Sequence, residues 1–202
     1  VACKYIERPL LFQRPDTGAR VKFDIRLIVF VRAFRPLRAY VYRNFWLRFA
    51  IKDFELARFD DFDTHMTVFN YAGKEKILQM TCDEFVRQLA VQYPSLRWLD
   101  VERAMDAALK ELLEAASAQP PPAGVGQYGR SRAMYGVDVM LGRVRDDEGS
   151  ASAVHVVEPV MLEVNFMPDC ERACSYYADF ADVAFDTLFG AAKVDTAKVR
   201  AL

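Results

Sequence analysis

The sequence predicts an α+β fold with a mainly antiparallel sheet flanked by helices. Three observations carry that expectation. Between residues 22 and 51, three runs rich in Val, Ile, Phe and Tyr follow one another with only short polar breaks. Between residues 82 and 118 the apolar residues instead recur at helical spacing. Two more strand-like runs and a helical run close the chain, so strands and helices come in blocks rather than in strict βα alternation.

Taken in order, KYIERPLLF (4–12) is apolar and β-prone, with Pro9 as a break, and PDTGAR (15–20) is a turn by its Pro, Asp and Gly. KFDIRLIVFVRAF (22–34), LRAYVYR (37–43) and FWLRFAI (45–51) read as strands of a meander, turning at Arg35-Pro36 and Arg43-Asn44. Residues 53–71 are polar without a period and read as loop. CDEFVRQLAVQY (82–93) reads as a helix capped by Thr81, with Phe85, Leu89 and Tyr93 on its apolar face. Beyond Pro94, residues 100–118 form a second helix from an Asp100 cap, with Val101, Met105, Leu109, Leu112 and Leu113 as its stripe. QPPPAGVG (119–126) ends it. SRAMYGVDVMLGR (131–143) and AVHVVEPVMLEVNF (153–166) read as a hairpin around a polar loop. Residues 170–190 read as one helix closed by Gly190, and 191–202 as a surface tail.

Composition narrows the function classes. The chain is 52% hydrophobic and 27% charged, ordinary for a globular protein, and holds no apolar run of the roughly 18 residues that a membrane span needs. The opening VACKYIERP has neither an initiator Met nor signal-peptide order, and it reads as a piece of something longer. Cys3, Cys82, Cys170 and Cys174 form no paired CxxC; free thiols in a reducing compartment fit them better than a metal site built on Cys170 and Cys174. Net charge is −1, yet residues 20–52 carry nine Lys or Arg against Asp24 alone, a segment suited to an anionic partner. Nucleic acid is the weaker candidate for that partner, because the interleaved aromatics serve as core faces of strands.

The strands also carry polar residues that a core does not need. In MLEVNFMPD (161–169), Glu163 and Asn165 share one face of a strand whose Leu162 and Val164 share the other. Asp138 stands on the preceding strand, and the hairpin could bring it beside them. Two carboxylates and an amide oxygen suit Mg²⁺ carrying phosphate oxygens; a Glu163–Arg pair with a capping Asn165 would explain the same residues. In KFDIR, Lys22, Asp24 and Arg26 share a face: either a solvated ladder or a cleft wall that neutralises phosphate or carboxylate, with Asp24 orienting its cationic neighbours. Arg48, in WLRF, is a second candidate clamp.

These residues, with KYIE, YRNFWLRF, the His65 region and YGVDVML in this order, resemble the tubulin–tyrosine ligase-like family from residue 3 to about 190. RPLRAYVYRNFWLRF, QYPSLRWLDV and EVNFMPDCERAC resemble one branch of it in particular. The resemblance implies the C-terminal part of an ATP-grasp domain over residues 1–190, with the N-terminal part of that domain as an expected partner. It implies that the backbone of Lys4, Tyr5 and Ile6 holds adenine, and that Lys22 and Arg26, with Asp24, reach the triphosphate and the reacting carboxylate. It further implies that Arg48 holds a substrate carboxylate, that His65 belongs to the catalytic set, and that Asp138, Glu163 and Asn165 bind Mg²⁺.

The implied chemistry is ATP-dependent activation of a carboxylate in tubulin's acidic tail as an acyl phosphate, which an amino acid's amine then attacks, in a cytoplasmic, cytoskeleton-associated protein without membrane contact. Where the family reads His-Leu-Thr-Asn, this sequence reads HMTVFNY (65–71), with Val68 in place of Asn and Asn70 two residues late. That departure sets a second reading beside the ligase: a catalytically inactive relative that binds tubulin or another partner and retains nucleotide.

Overall fold

The computed structural model describes residues 3–67, 78–145, 156–166, 168–191 and 193–202. Val68 and Asn70 lie outside the described residues, as does most of the loop expected between the last two long strands. The described residues fall into two compact units. One comprises Val1–Arg26, Trp46–Ala104 and Val139–Leu162; the other comprises Leu27–Phe45, Met105–Asp138 and Glu163–Leu202.

The mainly antiparallel, mixed α+β architecture is as the sequence predicts. A six-stranded sheet runs in the order β7-β6-β3-β4-β8, from β3 (Phe23–Phe34), β4 (Leu37–Tyr42), β6 (Ala133–Arg145), β7 (Val156–Phe166) and β8 (Val199–Ala201). Its sixth strand, β5 (Trp46–Phe49), joins through β3. A separate two-stranded ribbon pairs β1 (Phe12–Gln13) with β2 (Arg20–Val21). Its turn is closed by Gly18 N–H donating to the Arg14 carbonyl at 2.9 Å, and Gly18 has φ +77°, the conformation for which the turn needs a glycine.

The expected meander is where the structure departs most. β4 pairs with β3 from Val29↔Val41 to Phe34↔Leu37, but β5 returns to β3 itself, from Phe23↔Phe49 to Arg26↔Trp46. β3 is 12 residues long and β4 only six, so the first residues of β3 are left for β5. Residues 199–201, within the segment read as a surface tail, form β8 against β4 and bury Val199. The predicted terminal helix is two helices, α4 (Cys170–Tyr176) and α5 (Phe180–Phe189); Asp169 caps the first by accepting from Arg172 N–H.

The first unit is centred on the rings of Phe12, Phe23, Phe49 and Phe85, with centroids 5.1 to 6.4 Å apart. Phe85 and Leu89 enter that core from α2 (Cys82–Gln92), whose Thr81 cap accepts from Glu84 N–H as the sequence predicts. The second unit packs Phe180 of α5 against Phe30 and Tyr42. α3 (Trp98–Ala118) buries Val101, Met105, Leu109 and Leu113 of the expected stripe, while Leu112 is only half-buried. It starts two residues before the expected cap, so Asp100 lies in its first turn. A carboxylate there favours the positive end of the helix, and it pairs with Arg97 at 2.6 Å. A short helix, α1 (Phe62–His65), occupies part of the segment read as loop. The four cysteines are free thiols, and no described helix is long and apolar enough to cross a membrane.

Candidate functional site

In the first unit, the alternation of β3 sets the site. Phe23 and Ile25 enter the core, so Asp24 and Arg26 share the opposite direction, with Lys22 just before the strand. That face is not a solvated ladder. Asp24 is 1% exposed and Lys22 5%, burial that charged groups tolerate only with partners. Asp24 finds its partner across the ladder: Arg48 stands opposite it, and Arg48 Nε donates to Asp24 Oδ1 at 2.6 Å. Thr67 Oγ1 donates to the other carboxylate oxygen. Asp24 is therefore gripped from two sides, and it fixes Arg48 rather than only its neighbours along the strand. Arg26 is half-buried two residues further on.

Lys22 belongs to a second, connected group. Its Nζ donates to Tyr5 Oη at 3.2 Å and to the His65 carbonyl at 3.1 Å, and it sits 4.6 Å from the centroid of the Tyr5 ring. Tyr5 Oη in turn lies 2.7 Å from His65 Nδ1, while His65 Nε2 lies 3.0 Å from the Ala57 carbonyl. A carbonyl only accepts, so Nε2 carries the proton; in the neutral ring Nδ1 then accepts from the Tyr5 hydroxyl. The imidazole is 7% exposed and stacked on Phe59, with centroids 5.1 Å apart. Burial pulls the Lys22 ammonium below its ordinary pKa, opposed by the charge of Asp24, and burial pushes the Tyr5 phenol above its own. Lys4 is exposed and Ile6 half-buried; with Tyr5 they form an irregular stretch ahead of β1, outside any strand ladder.

The second unit holds the remaining expected residues. Asp138 is buried at 2% exposure on β6, and Glu163 and Asn165 stand on β7, its neighbour in the sheet. Asn165 Nδ2 donates to Glu163 Oε1 at 2.6 Å, so the amide and one carboxylate meet on one face as the spacing predicts. Among the described residues, no three His, Cys, Asp or Glu side chains cluster as an all-carboxylate or His/Cys cage would.

Two partners escaped the sequence reading. Tyr5 was expected to act through its backbone, yet its hydroxyl is what Lys22 meets. Arg48 was expected as an independent clamp, because the meander hid the register that places it opposite Asp24.

Comparison with known proteins decides what this arrangement belongs to. Residues 1–200 match the tubulin-tyrosine ligase family model. The chain belongs to the tubulin-tyrosine ligase family. Tubulin–tyrosine ligase-like protein 12 of Caenorhabditis briggsae is 51% identical over 189 residues, 94% of this chain and 27% of that protein. The Homo sapiens protein of the same name is 48% identical over 189 residues, 94% of this chain and 29% of that protein. Tubulin glycylase 3E of Tetrahymena thermophila is 29% identical over 195 residues, 92% of this chain and 13% of that protein. The chain thus spans under a third of the length of these members of the tubulin-tyrosine ligase family, and its mixed helices and antiparallel sheet fit a portion of an ATP-grasp-like fold.

Proposed function

We propose that this chain is the C-terminal part of an ATP- and Mg²⁺-dependent carboxylate–amine ligase that adds an amino acid to the acidic tail of tubulin. The observation that carries the reading is Arg48 held by the buried Asp24 carboxylate, itself held by Thr67. A guanidinium fixed in this way has lost its rotamer freedom before a substrate arrives, the preorganisation expected of a carboxylate or phosphate clamp. Arg26 extends the same strand face, and the basic stretch 20–52 suits an acidic peptide. Family relatives named as a tubulin glycylase and a "probable tubulin polyglutamylase" support tubulin as the substrate class, and hence a place in the cytoplasm at the cytoskeleton.

The residues present fit the nucleotide and its metal. Asp138, Glu163 and Asn165 would supply hard oxygen donors, and the 2.6 Å contact between the last two side chains supports this reading. Turning the Asn165 amide over would set its oxygen beside the Glu163 carboxylate, as a Mg²⁺ ligand set needs. The backbone of Lys4, Tyr5 and Ile6 would take adenine, with Lys22, Asp24 and Arg26 toward the phosphates and His65 supporting them. ATP would supply the phosphoryl group that turns a tail carboxylate into an acyl phosphate, from which an amine would displace inorganic phosphate. This chain's own contribution is to orient that carboxylate with Arg48 and Arg26, and to offset the charge that develops there.

The sequence favours the alternative of an inactive, nucleotide-retaining interaction module at one place: Val68, whose side chain can ligate nothing, stands where the family motif has Asn. The test is ATP affinity of the full-length protein with and without Mg²⁺, for wild type and Glu163→Gln, followed by transfer of labelled amino acid to tubulin. Mg²⁺-dependent binding lost in the variant, together with transfer, supports the ligase. Binding without transfer supports the module, and no binding overturns both nucleotide readings.

A further inference from the structure

We infer that the side chain of Tyr5 is a positioning residue for Lys22, a hydroxyl that anchors the ammonium in one orientation. An ammonium has three protons and a flexible stem of four carbons, so by itself it is a poorly aimed donor. Here two bonds fix it, to Tyr5 Oη at 3.2 Å and to the His65 carbonyl at 3.1 Å, while the Tyr5 ring lies 4.6 Å from Nζ and the Phe54 ring 5.9 Å. The hydroxyl is fixed in its turn. With Nε2–H donated to the Ala57 carbonyl, the neutral His65 ring accepts from the Tyr5 hydroxyl at Nδ1, and this leaves the phenol oxygen to accept from Lys22. The chain of donors therefore runs one way: Lys22 to Tyr5, Tyr5 to His65, His65 to Ala57.

Packing alone does not call for this arrangement. Phenylalanine would fill the same space and keep the edge contacts of the Tyr5 ring with Phe59 and His65, at 5.3 and 5.9 Å. What phenylalanine lacks is the acceptor for Lys22 and the donor for His65. Lys22 is 5% exposed, so a lost acceptor is poorly replaced by water. That Lys22 then meets a phosphate rests on the function proposed above; that Tyr5 orients it does not.

The test is Tyr5→Phe in the full-length protein, with two readouts. The first needs no ligand: the pKa of Lys22, from the pH dependence of its competitive acylation read by peptide mass spectrometry. The hydroxyl accepts from the charged form, so its removal lowers the Lys22 pKa further, whereas a purely structural ring leaves it in place. The second is affinity for MgATP, expected to weaken about fivefold, the effect of losing one hydrogen bond of ~1 kcal/mol, and to show no further loss from Tyr5→Phe in a Lys22→Met background. An unchanged Lys22 pKa overturns the inference. A lowered pKa in a protein whose wild type binds no nucleotide upholds the anchoring by Tyr5 and overturns the nucleotide reading instead.

Discussion

Arg48 stands opposite Asp24 across the β3–β5 ladder, with its Nε 2.6 Å from a carboxylate that is 1% exposed. The Arg48 side chain itself is 18% exposed, so the pair is unequally buried, and removing the cation is the harsher cut. Arg48→Met should destabilise the protein by about 3 kcal/mol, because it removes the cation paired with a buried carboxylate. Asp24→Asn combined with Arg48→Met should be less destabilised than Arg48→Met alone, since the carboxylate charge is gone. Urea unfolding of Arg48→Met, Asp24→Asn and the double variant checks this, and a double variant as unstable as the sum of the singles would refute the pairing.

Lys22 gives a prediction about pH. Burial lowers its folded pKa, whereas the unfolded chain titrates at about 10.4. Between those two values the unfolded state holds a proton that the folded state has released, so stability rises with pH across the window. The Tyr5 phenol, raised by burial, acts in the opposite sense above about pH 10, where the unfolded chain begins to ionise it. The difference in unfolding free energy between wild type and Lys22→Met should therefore move in favour of wild type as pH is raised towards about 10. A flat or falling difference would mean that Lys22 is not held in a desolvated site.

What the sequence made legible follows from periodicity and local chemistry. The Thr81 cap, the Met105–Leu109–Leu113 stripe and the shared face of Glu163 and Asn165 depend on neighbours within a few residues, which a linear reading sees. The partner of Asp24 does not, because it depends on which strand lies beside β3. A run of short strands suggests sequential pairing, and the extra length of β3 is what lets β5 return to it. β8 was illegible for a similar reason: three residues within a short Ala- and Lys-containing segment carry too little pattern, and they form a strand because β4 offers an edge. The role of the Tyr5 hydroxyl required the fold of residues 57–65 beside it, a segment without a period of its own.

β8 is also held by a side-chain pair. Arg200 Nε and Nη2 donate to the two oxygens of Asp106 on α3, both at 2.9 Å, with side chains 10% and 22% exposed. A bidentate, half-buried fork lies at the strong end for ion pairs near a surface. A double-mutant cycle on Arg200→Ala and Asp106→Ala should give a coupling energy of about 1 kcal/mol, reduced only modestly by salt. A coupling indistinguishable from zero would show β8 to be held by its ladder and by Val199 alone.

The aromatic centre of the first unit should dominate stability. Phe85 is fully buried, and its ring meets those of Phe12, Phe23, Phe49 and Trp98 at centroid distances of 5.1 to 6.3 Å. Phe85→Ala removes a ring from a packed site and leaves a cavity, at a cost of about 3 to 5 kcal/mol. Phe185 on α5 is the matched control, since it is 64% exposed and meets only the exposed Phe189 among the ring contacts described. Phe185→Ala should change stability by less than about 0.5 kcal/mol. Urea denaturation of both variants separates the cases: comparable losses would mean that Phe185 is covered in the full-length protein, and a small loss at Phe85 would mean that the four-ring centre does not organise this unit.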